Sequence, residues 1–378
     1  MKSEWKEVRL GDICKTNASS YSNKENWKYI NYLDTGNITQ NKIDNIVHLN
    51  CETDKIPSRA KRKVKEGDII YSNVRPNQFH YGLMKNIPSN FLVSTGFTTI
   101  SVNEDLADNK FIYYYIIQES IIQKLQSIAE QSVSAYPSIK PSDLEELTIK
   151  IPVKVSEQKA ISSILSALDD KIALNQQINN NLLEQSTLLF HKLFDKYENQ
   201  KKSYISLGQL ANFKYGTMPK KDKLGSGEYL AFSGYQIVGK YPEKMYDTHQ
   251  LIIVARGVGG CGDIKYTPAN CYLTNLAIAI ITSDVMIDNY LFHYLRLHDT
   301  KVMNTGSAQP QITISMLEKY QLPLPTKEEL KFFSNMVESY KEMFRKKTIE
   351  NIQLSQLRDI LLPKLISGDL DVSDIEIC

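Results

Sequence analysis

Residues 157–194 read EQKAISSILSALDDKIALNQQINNNLLEQSTLLFHKLF, without a Pro or a Gly. Apolar side chains recur at coiled-coil spacing: Ile161, Leu165, Leu168, Ile172, then Leu182, Leu189 and Leu193. The same frame puts Asn175, Asn179 and Ser186 on the seam. A seam whose a and d positions are mostly apolar predicts a long helix packed on another helix. At 1.5 Å per residue it would run roughly 55–60 Å. One long core helix would satisfy the pattern too, but the pattern occurs twice.

Shifted by 172 residues, the seam becomes Phe333, Val337, Tyr340, Phe344, Lys347, Asn351, Leu354, Arg358, Leu361 and Leu365. The polar breaks repeat as well: Asn175 falls on Lys347, Asn179 on Asn351 and Ser186 on Arg358. A repeat of this kind is one structural unit used twice. Antiparallel packing about a twofold axis would bring Asn179 near Lys347 and Asn175 near Asn351. A polar layer of this kind can fix helix register.

A length of 378 residues allows two domains of ordinary size, and 42% hydrophobic with 23% charged residues is a globular composition with material for a core. The net charge of +2 neither demands nor excludes nucleic acid, so only local patches can speak. The start, MKSEWKEVRL, has no apolar stretch of the signal-peptide kind, and no 18-residue apolar run is present. Cys14, Cys51, Cys261, Cys271 and Cys378 are odd in number and form no CxxC, which reads as reduced thiols in the cytosol.

Along the first half, a strand ending at Leu10-Gly11 leads into a short helical turn, and residues 21–50 read as short strands and loops. From Lys55 to Lys65 come six basic residues and no acid. A strand from Asp68 to Ser72 then ends at Asn73-Val74-Arg75-Pro76. A strand from Phe97 to Val102, a helix from Asn109 to Ser127, a helix start at Ser142-Asp143 and a last strand from Leu147 to Ile151 follow. The second half replays the frame. Leu207-Gly208 matches Leu10-Gly11, and Ser307-Ala308-Gln309-Pro310 matches Ser134-Ala135-Tyr136-Pro137. Leu322 and Leu324 match Ile149 and Ile151. Between these landmarks the halves diverge in length and sequence, as a shared scaffold carrying two unlike surfaces would.

Taken in order, these segments resemble the specificity subunit of a type I restriction–modification enzyme. The likeness rests on Trp5-Lys6-Glu7-Val8-Arg9-Leu10-Gly11-Asp12, the paired Ser-Ala-x-Pro segments, Ile151-Pro152 with Ser156-Glu157-Gln158-Lys159, and Leu361-Leu362-Pro363-Lys364-Leu365-Ile366-Ser367-Gly368. It covers essentially the whole chain. One departure is Leu330, where the second copy lacks the Gln found at 158.

The resemblance implies an α/β chain of two pseudo-twofold-related target-recognition domains joined by two long antiparallel coiled-coil helices. In this reading residues 1–152 form recognition domain 1 and 153–198 a spacer helix. Residues 199–325 form recognition domain 2, and 326–378 a second spacer helix with a tail. Each domain would read half of a split double-stranded DNA target. Two methyltransferase subunits would dock on the helices, and motor–nuclease subunits would join. No cofactor, metal or membrane contact is expected, and the location would be cytoplasmic. A two-headed protein-binding adaptor that dimerises through its helices is the alternative.

Catalytic signatures are weak. Gly257, Gly259 and Gly262 spell GxGxxG after an apolar strand, but Asp263–Pro268 reads as a strand where a dinucleotide site needs a helix. A turn between strands, or a backbone loop near phosphates with Arg256 at its base, fits better. The chain has no P-loop, and His293 and His298 read as helix-surface residues. The DNA-binding candidates are Lys61, Arg62 and Lys63 for phosphates, and Asn73, Arg75, Asn77, Gln78 and Tyr81 after a strand. In the second half they are Lys220, Lys221 and Arg256. Arg, Asn and Gln can make bidentate contacts with guanine and adenine edges. The helix interface would use Ile161, Leu165, Leu168, Ile172, Asn175, Asn179 and Leu182 against Val337, Phe344, Lys347, Asn351 and Leu354.

Overall fold

The computed structural model describes residues 4–132, 136–198, 204–257, 260–298, 300, 311–370 and 372. The Ser-Ala pair at 134–135, residues 305–310 of its counterpart and Gly259 lie outside them. The chain divides into two compact units, Met1–Asn175 with Ile349–Cys378, and Gln176–Thr348. Each long helix, Val155–Glu198 and Lys327–Ser367, contributes residues to both.

In the first unit, Trp5–Arg9 pairs antiparallel with Thr148–Pro152, with Val8 opposite Ile149. A four-stranded antiparallel sheet runs in the order Cys14–Thr16, Phe97–Val102, Ile69–Ser72, Tyr81–Leu83. A second sheet runs Val47–Asn50, Tyr29–Leu33, Phe91–Ser94, Ala60–Lys63, and its central pair is parallel. The helix expected from Asn109 to Ser127 is two, Asn109–Ile116 and Glu119–Glu130. Asp108 caps the first, accepting from the Phe111 N–H at 2.9 Å. Gln118 then turns extended, at φ −61° and ψ 142°, and starts the second. The break lets both apolar faces, Phe111–Ile112 and Ile122–Leu125–Ala129, reach one core with Ile161 and Leu165.

The second unit repeats this order. Tyr204–Ser206 pairs with Gln321–Pro323, Ile205 lying opposite Leu322. The main sheet runs Asn212–Tyr215, Ala277–Ile281, Leu251–Val254, Ile264–Tyr266. The second sheet has three strands, Ile237–Tyr241, Tyr229–Phe232 and Cys271–Leu273, again with a parallel pair. Helix Val285–Leu297 packs on Phe190, Phe194 and Phe333. His293, expected on a helix surface, is buried there among aromatic rings, and burial holds its imidazole neutral with a pKa of about 3. The cause is aromatic helix packing, which the Tyr/Leu-rich sequence left undecided.

The repeated Leu-Gly has a steric cause. A Cβ on Gly11 would meet the Glu145 Cβ at 3.0 Å, and one on Gly208 would meet the Glu318 carbonyl oxygen at 3.1 Å. In each unit this turn therefore seats against the short helix Pro141–Glu145 or Ile314–Lys319 only without a side chain.

Within each unit the two long helices run antiparallel. In the first, Asp169 meets Arg358 and Asn175 meets Asn351; in the second, Asn179 meets Thr348 and Lys196 meets Glu329. Ile161, Leu165, Asn175 and Asn179 are buried, while Leu168, Ile172 and Leu182 are half-buried. Opposite them Val337 is buried, and Lys347, Asn351 and Leu354 are half-buried. Phe344, expected in the seam, is 40% exposed, because it sits at the rim of a cavity of about 60 Å³ shared with Leu182, Ser186 and Tyr340. The Asn175 amide donates to Asn351 at 2.9 Å, the expected pairing. Asn179 instead donates to Thr348 Oγ1 at 3.3 Å, one residue beyond the expected Lys347.

Candidate nucleic-acid interface

At the end of strand Ile69–Ser72 the chain turns sharply. Arg75 has φ 48° and ψ 72°, and Phe79 has φ 58° and ψ 30°, on either side of a single turn of 3-10 helix, Pro76–Gln78. Left-handed conformations cost non-glycine residues energy and persist only when neighbours enforce them. Here Ile139 donates to the Asn73 carbonyl at 2.8 Å and Arg75 donates to the Pro137 carbonyl at 3.0 Å. The result is an exposed platform of Arg75, Asn77 and Gln78, with the Arg75 guanidinium 5.3 Å from the centroid of the Tyr136 ring. Tyr136 is an element that the sequence reading missed, since only the fold brings it under Arg75.

Two members of that cluster turn elsewhere. The Asn73 side chain accepts from Thr98 Oγ1 at 2.6 Å and is half-buried. Tyr81 is 5% exposed and its ring packs on Tyr71 and Tyr113. Burial pushes its hydroxyl pKa up to about 12. Tyr81 therefore belongs to the core and not to a reading surface. Strand alternation decides this, since it points Tyr81 across the sheet toward Tyr71.

The basic run forms the outer strand of the second sheet, Ala60–Lys63. Lys61 projects into solvent. Arg62 lies against Ser20 at 3.5 Å. Lys63 is bound to Glu25 and lies 5.1 Å from the Trp27 ring centroid, and that bond holds the Glu25 carboxyl below its usual range. Of the three, Lys61 is freest to meet a phosphate.

In the second unit Lys220 and Lys221 are exposed on the loop between strands Asn212–Tyr215 and Tyr229–Phe232, which lies beside Ile237–Tyr241, with Gly225 donating to the Lys240 carbonyl at 2.9 Å. Met218, Leu224, Ile237 and Val238 make this an exposed aliphatic surface edged with lysines, which the sequence reading also missed. Arg256 is half-buried. Its backbone bridges Gln311, and Tyr235 donates to its carbonyl at 2.7 Å. Ile312 donates to the Ala255 carbonyl at 2.9 Å, just as Ile139 does to Asn73. The two turns are therefore equivalent, with Val74 corresponding to Arg256 and Arg75 to Gly257. The glycine-rich segment joins strands Leu251–Val254 and Ile264–Tyr266, as the strand-turn reading expected.

The second long helix, Lys327–Ser367, carries a further apolar set outside its seam. Phe332, Met336 and Met343 are exposed in one unit, and Ile349, Leu357 and Ile360 in the other.

A family model described as type I restriction modification DNA specificity domain matches residues 2–184 and again 192–360. The chain is 25% identical to the type I restriction enzyme HindI specificity subunit of Haemophilus influenzae, over 97% of this chain and 100% of that protein. It is also 25% identical to a putative type I restriction enzyme MjaX specificity subunit of Methanocaldococcus jannaschii, over 98% and 94%. Among solved structures, the S subunit of a type I restriction–modification system from M. genitalium matches with a TM-score of 0.58 at 18% identity, over 96% of both chains.

Proposed function

The chain belongs to the type I restriction modification DNA specificity family, and we propose that its two recognition domains, 1–152 and 199–325, each read one half of a split DNA target. It is a recognition component, with two specificity domains, that binds DNA and assembles with other subunits; catalysis belongs to those subunits. The observation that carries the split reading is the pair of equivalent turns. One framework of matched strands presents Arg75 in the first domain and Gly257 in the second, so the same position carries different chemistry. Arg75, Asn77 and Gln78 would contact bases or phosphates of the first half-site. Lys220, Lys221 and the aliphatic strand beside them would face the second.

The finer partners follow from the helices. The exposed apolar residues outside the seam are suited to docking two methyltransferase subunits, with motor–nuclease subunits joining that assembly in the cytoplasm. No helix among the described residues is long and apolar enough to cross a membrane. The test is salt-dependent binding to duplex DNA, with and without a methyltransferase partner, together with methylome sequencing of cells with and without the gene. A bipartite methylated motif that depends on the gene is the expected result. Exchanging residues 16–130 for those of a relative should change one half of that motif and leave the other. A change in both halves, or in neither, would refute the modular reading.

A further inference from the structure

The two units make the same contact with opposite charge. A shift of 172 residues carries Asp169 of the first long helix onto Lys341 of the second. In the first unit the Tyr114 hydroxyl donates to Asp169 at 2.7 Å, and Arg358 meets the same carboxylate at 2.9 Å. In the second unit the Lys341 ammonium donates to Asn289 Oδ1 at 2.8 Å and to Asp288 at 3.1 Å. Tyr266 also donates to Asp288, at 2.6 Å, and its ring centroid lies 4.5 Å from the ammonium.

The two-stranded straps, Trp5–Arg9 with Thr148–Pro152 and Tyr204–Ser206 with Gln321–Pro323, establish that these are equivalent places. One residue beyond Tyr114, the Tyr115 hydroxyl accepts from the Lys150 N–H at 3.4 Å. One residue beyond Asn289, the Tyr290 hydroxyl donates to the Pro323 carbonyl at 2.6 Å. Lys150 and Pro323 occupy matching strap positions, since Ile149 and Leu322 face Val8 and Ile205. Tyr114 and Asn289 are thus counterparts. Each joins a recognition domain to its long helix, one to an anion and the other to a cation.

Both contacts are largely out of water. Lys341 and Asp288 side chains are 14% and 17% exposed, and Asp169 and Arg358 27% and 31%. In such surroundings a charge left without its partner, or set against a like charge, is costly. A second domain placed on the first seat would set Asp288 beside Asp169 and leave the single cation Arg358 to serve two carboxylates. A first domain on the second seat would offer Lys341 a tyrosine hydroxyl and no carboxylate.

We propose that these oppositely charged seats key each recognition domain to its own long helix and so fix the order in which the two half-sites are read. Asp169 and Lys341 are positioning residues in this account, which rests on the split-target reading above. The same physics gives a test that needs no DNA. In the full chain, K341D should lower the thermal midpoint of the second unit's transition, and adding D288K should restore it. Then a chain with residues 204–325 in place of 4–152, both long helices retained, is made with Asp169 and with D169K, the latter also carrying R358S so that the seat matches Lys341 and Ser186 of the second unit. Each is assembled with the methyltransferase partner and given DNA carrying two copies of the half-site that methylome profiling assigns to the second domain. Methylation by the D169K chain and not by its Asp169 counterpart is the expected result. Equal methylation by both would overturn the proposal, as would failure of D288K to restore the midpoint. If neither graft folds or methylates, the thermal cycle decides alone. A wild-type chain that methylates an undivided target would sink the split-target reading and leave that cycle standing.

Discussion

The two recognition units differ most where their second sheets end. The first closes with the basic strand Ala60–Lys63 beside Phe91–Ser94. In the second the corresponding edge of Cys271–Leu273 carries, among the described residues, an isolated bridge from Tyr246 to Cys271 and no strand. The first also inserts a hairpin, Ile38–Thr39 with Lys42–Ile43, between two strands that the second joins directly. The straps, the main sheets and the Leu-Gly turns are the same in both. Parts that pack on the long helices are thus held in common, and parts at the far side of the sheet vary. Framework positions are fixed by close packing, whereas solvent-facing edges tolerate exchange.

The largest effect should come from the framework. Phe333→Ala empties a fully buried position in the aromatic core of the second unit and should cost about 3–5 kcal/mol. Its counterpart, Ile161→Ala, should cost about 2–5 kcal/mol in the first. Calorimetry of both variants checks whether each moves only its own unit's transition. A common shift of both would mean that the units unfold as one and would break the comparison.

The variable parts give the next effect. Arg75→Ala should weaken specific binding by about 1–3 kcal/mol if its guanidinium reads a guanine. Arg256→Ala occupies the place of Val74 instead and should cost less sequence preference. Binding titrations against matched and scrambled half-sites separate the two. A uniform loss for Arg75→Ala would put it on phosphate.

A smaller effect is expected in the helix seam. Asn351 both accepts from Asn175 and donates to the Ile172 carbonyl at 3.2 Å, so Asn351→Leu strands a buried amide, at about 1–3 kcal/mol. Thr348→Ala in the other unit should cost less, since Thr348 is exposed and its hydroxyl also donates to the Phe344 carbonyl. Replacing Asn175, Asn179, Lys347 and Asn351 together by Leu or Ile should keep the helices paired but loosen register. Methylation should then spread to half-sites at altered spacing. Strict retention of the original spacing would remove the polar layer from the account.

The smallest effect separates the units by pH. Glu329 is partly buried, which raises its carboxyl pKa, but hydrogen bonds from Lys196, Tyr197 and Thr326 outweigh this and hold it at about 2. A depressed carboxyl gives stability that is complete above the unfolded pKa of about 4.3 and is lost as pH falls toward 2. Glu157, its counterpart 172 residues earlier, has only the exposed Lys154 at 3.4 Å. Acid titration followed by unit-specific NMR signals should therefore show Glu329→Gln flattening the second unit's profile between about pH 5 and 2.

Sequence period alone placed the two long helices, the polar breaks in their seam and the duplicated frame. A seam repeats every few residues, so its apolar and polar positions are visible without knowing what they touch. The Asn175–Asn351 pair was legible for the same reason, because antiparallel reflection is a geometric consequence of the pattern. Side-chain partners that depend on distant segments were not legible. Tyr81 and Asn73 sit in a sequence cluster with Arg75, yet the strand turns one into the core and gives the other to Thr98. Lys63 reads as a free cation until the fold brings Glu25 to it. His293 reads as a surface residue until Phe190 and Phe333 close over it. The opposed charges at Asp169 and Lys341 are plain in the sequence, but their meaning depends on Tyr114, Asp288 and Asn289. Local periodicity determines which elements form, and long-range packing determines which polar atoms lose water and must find a partner.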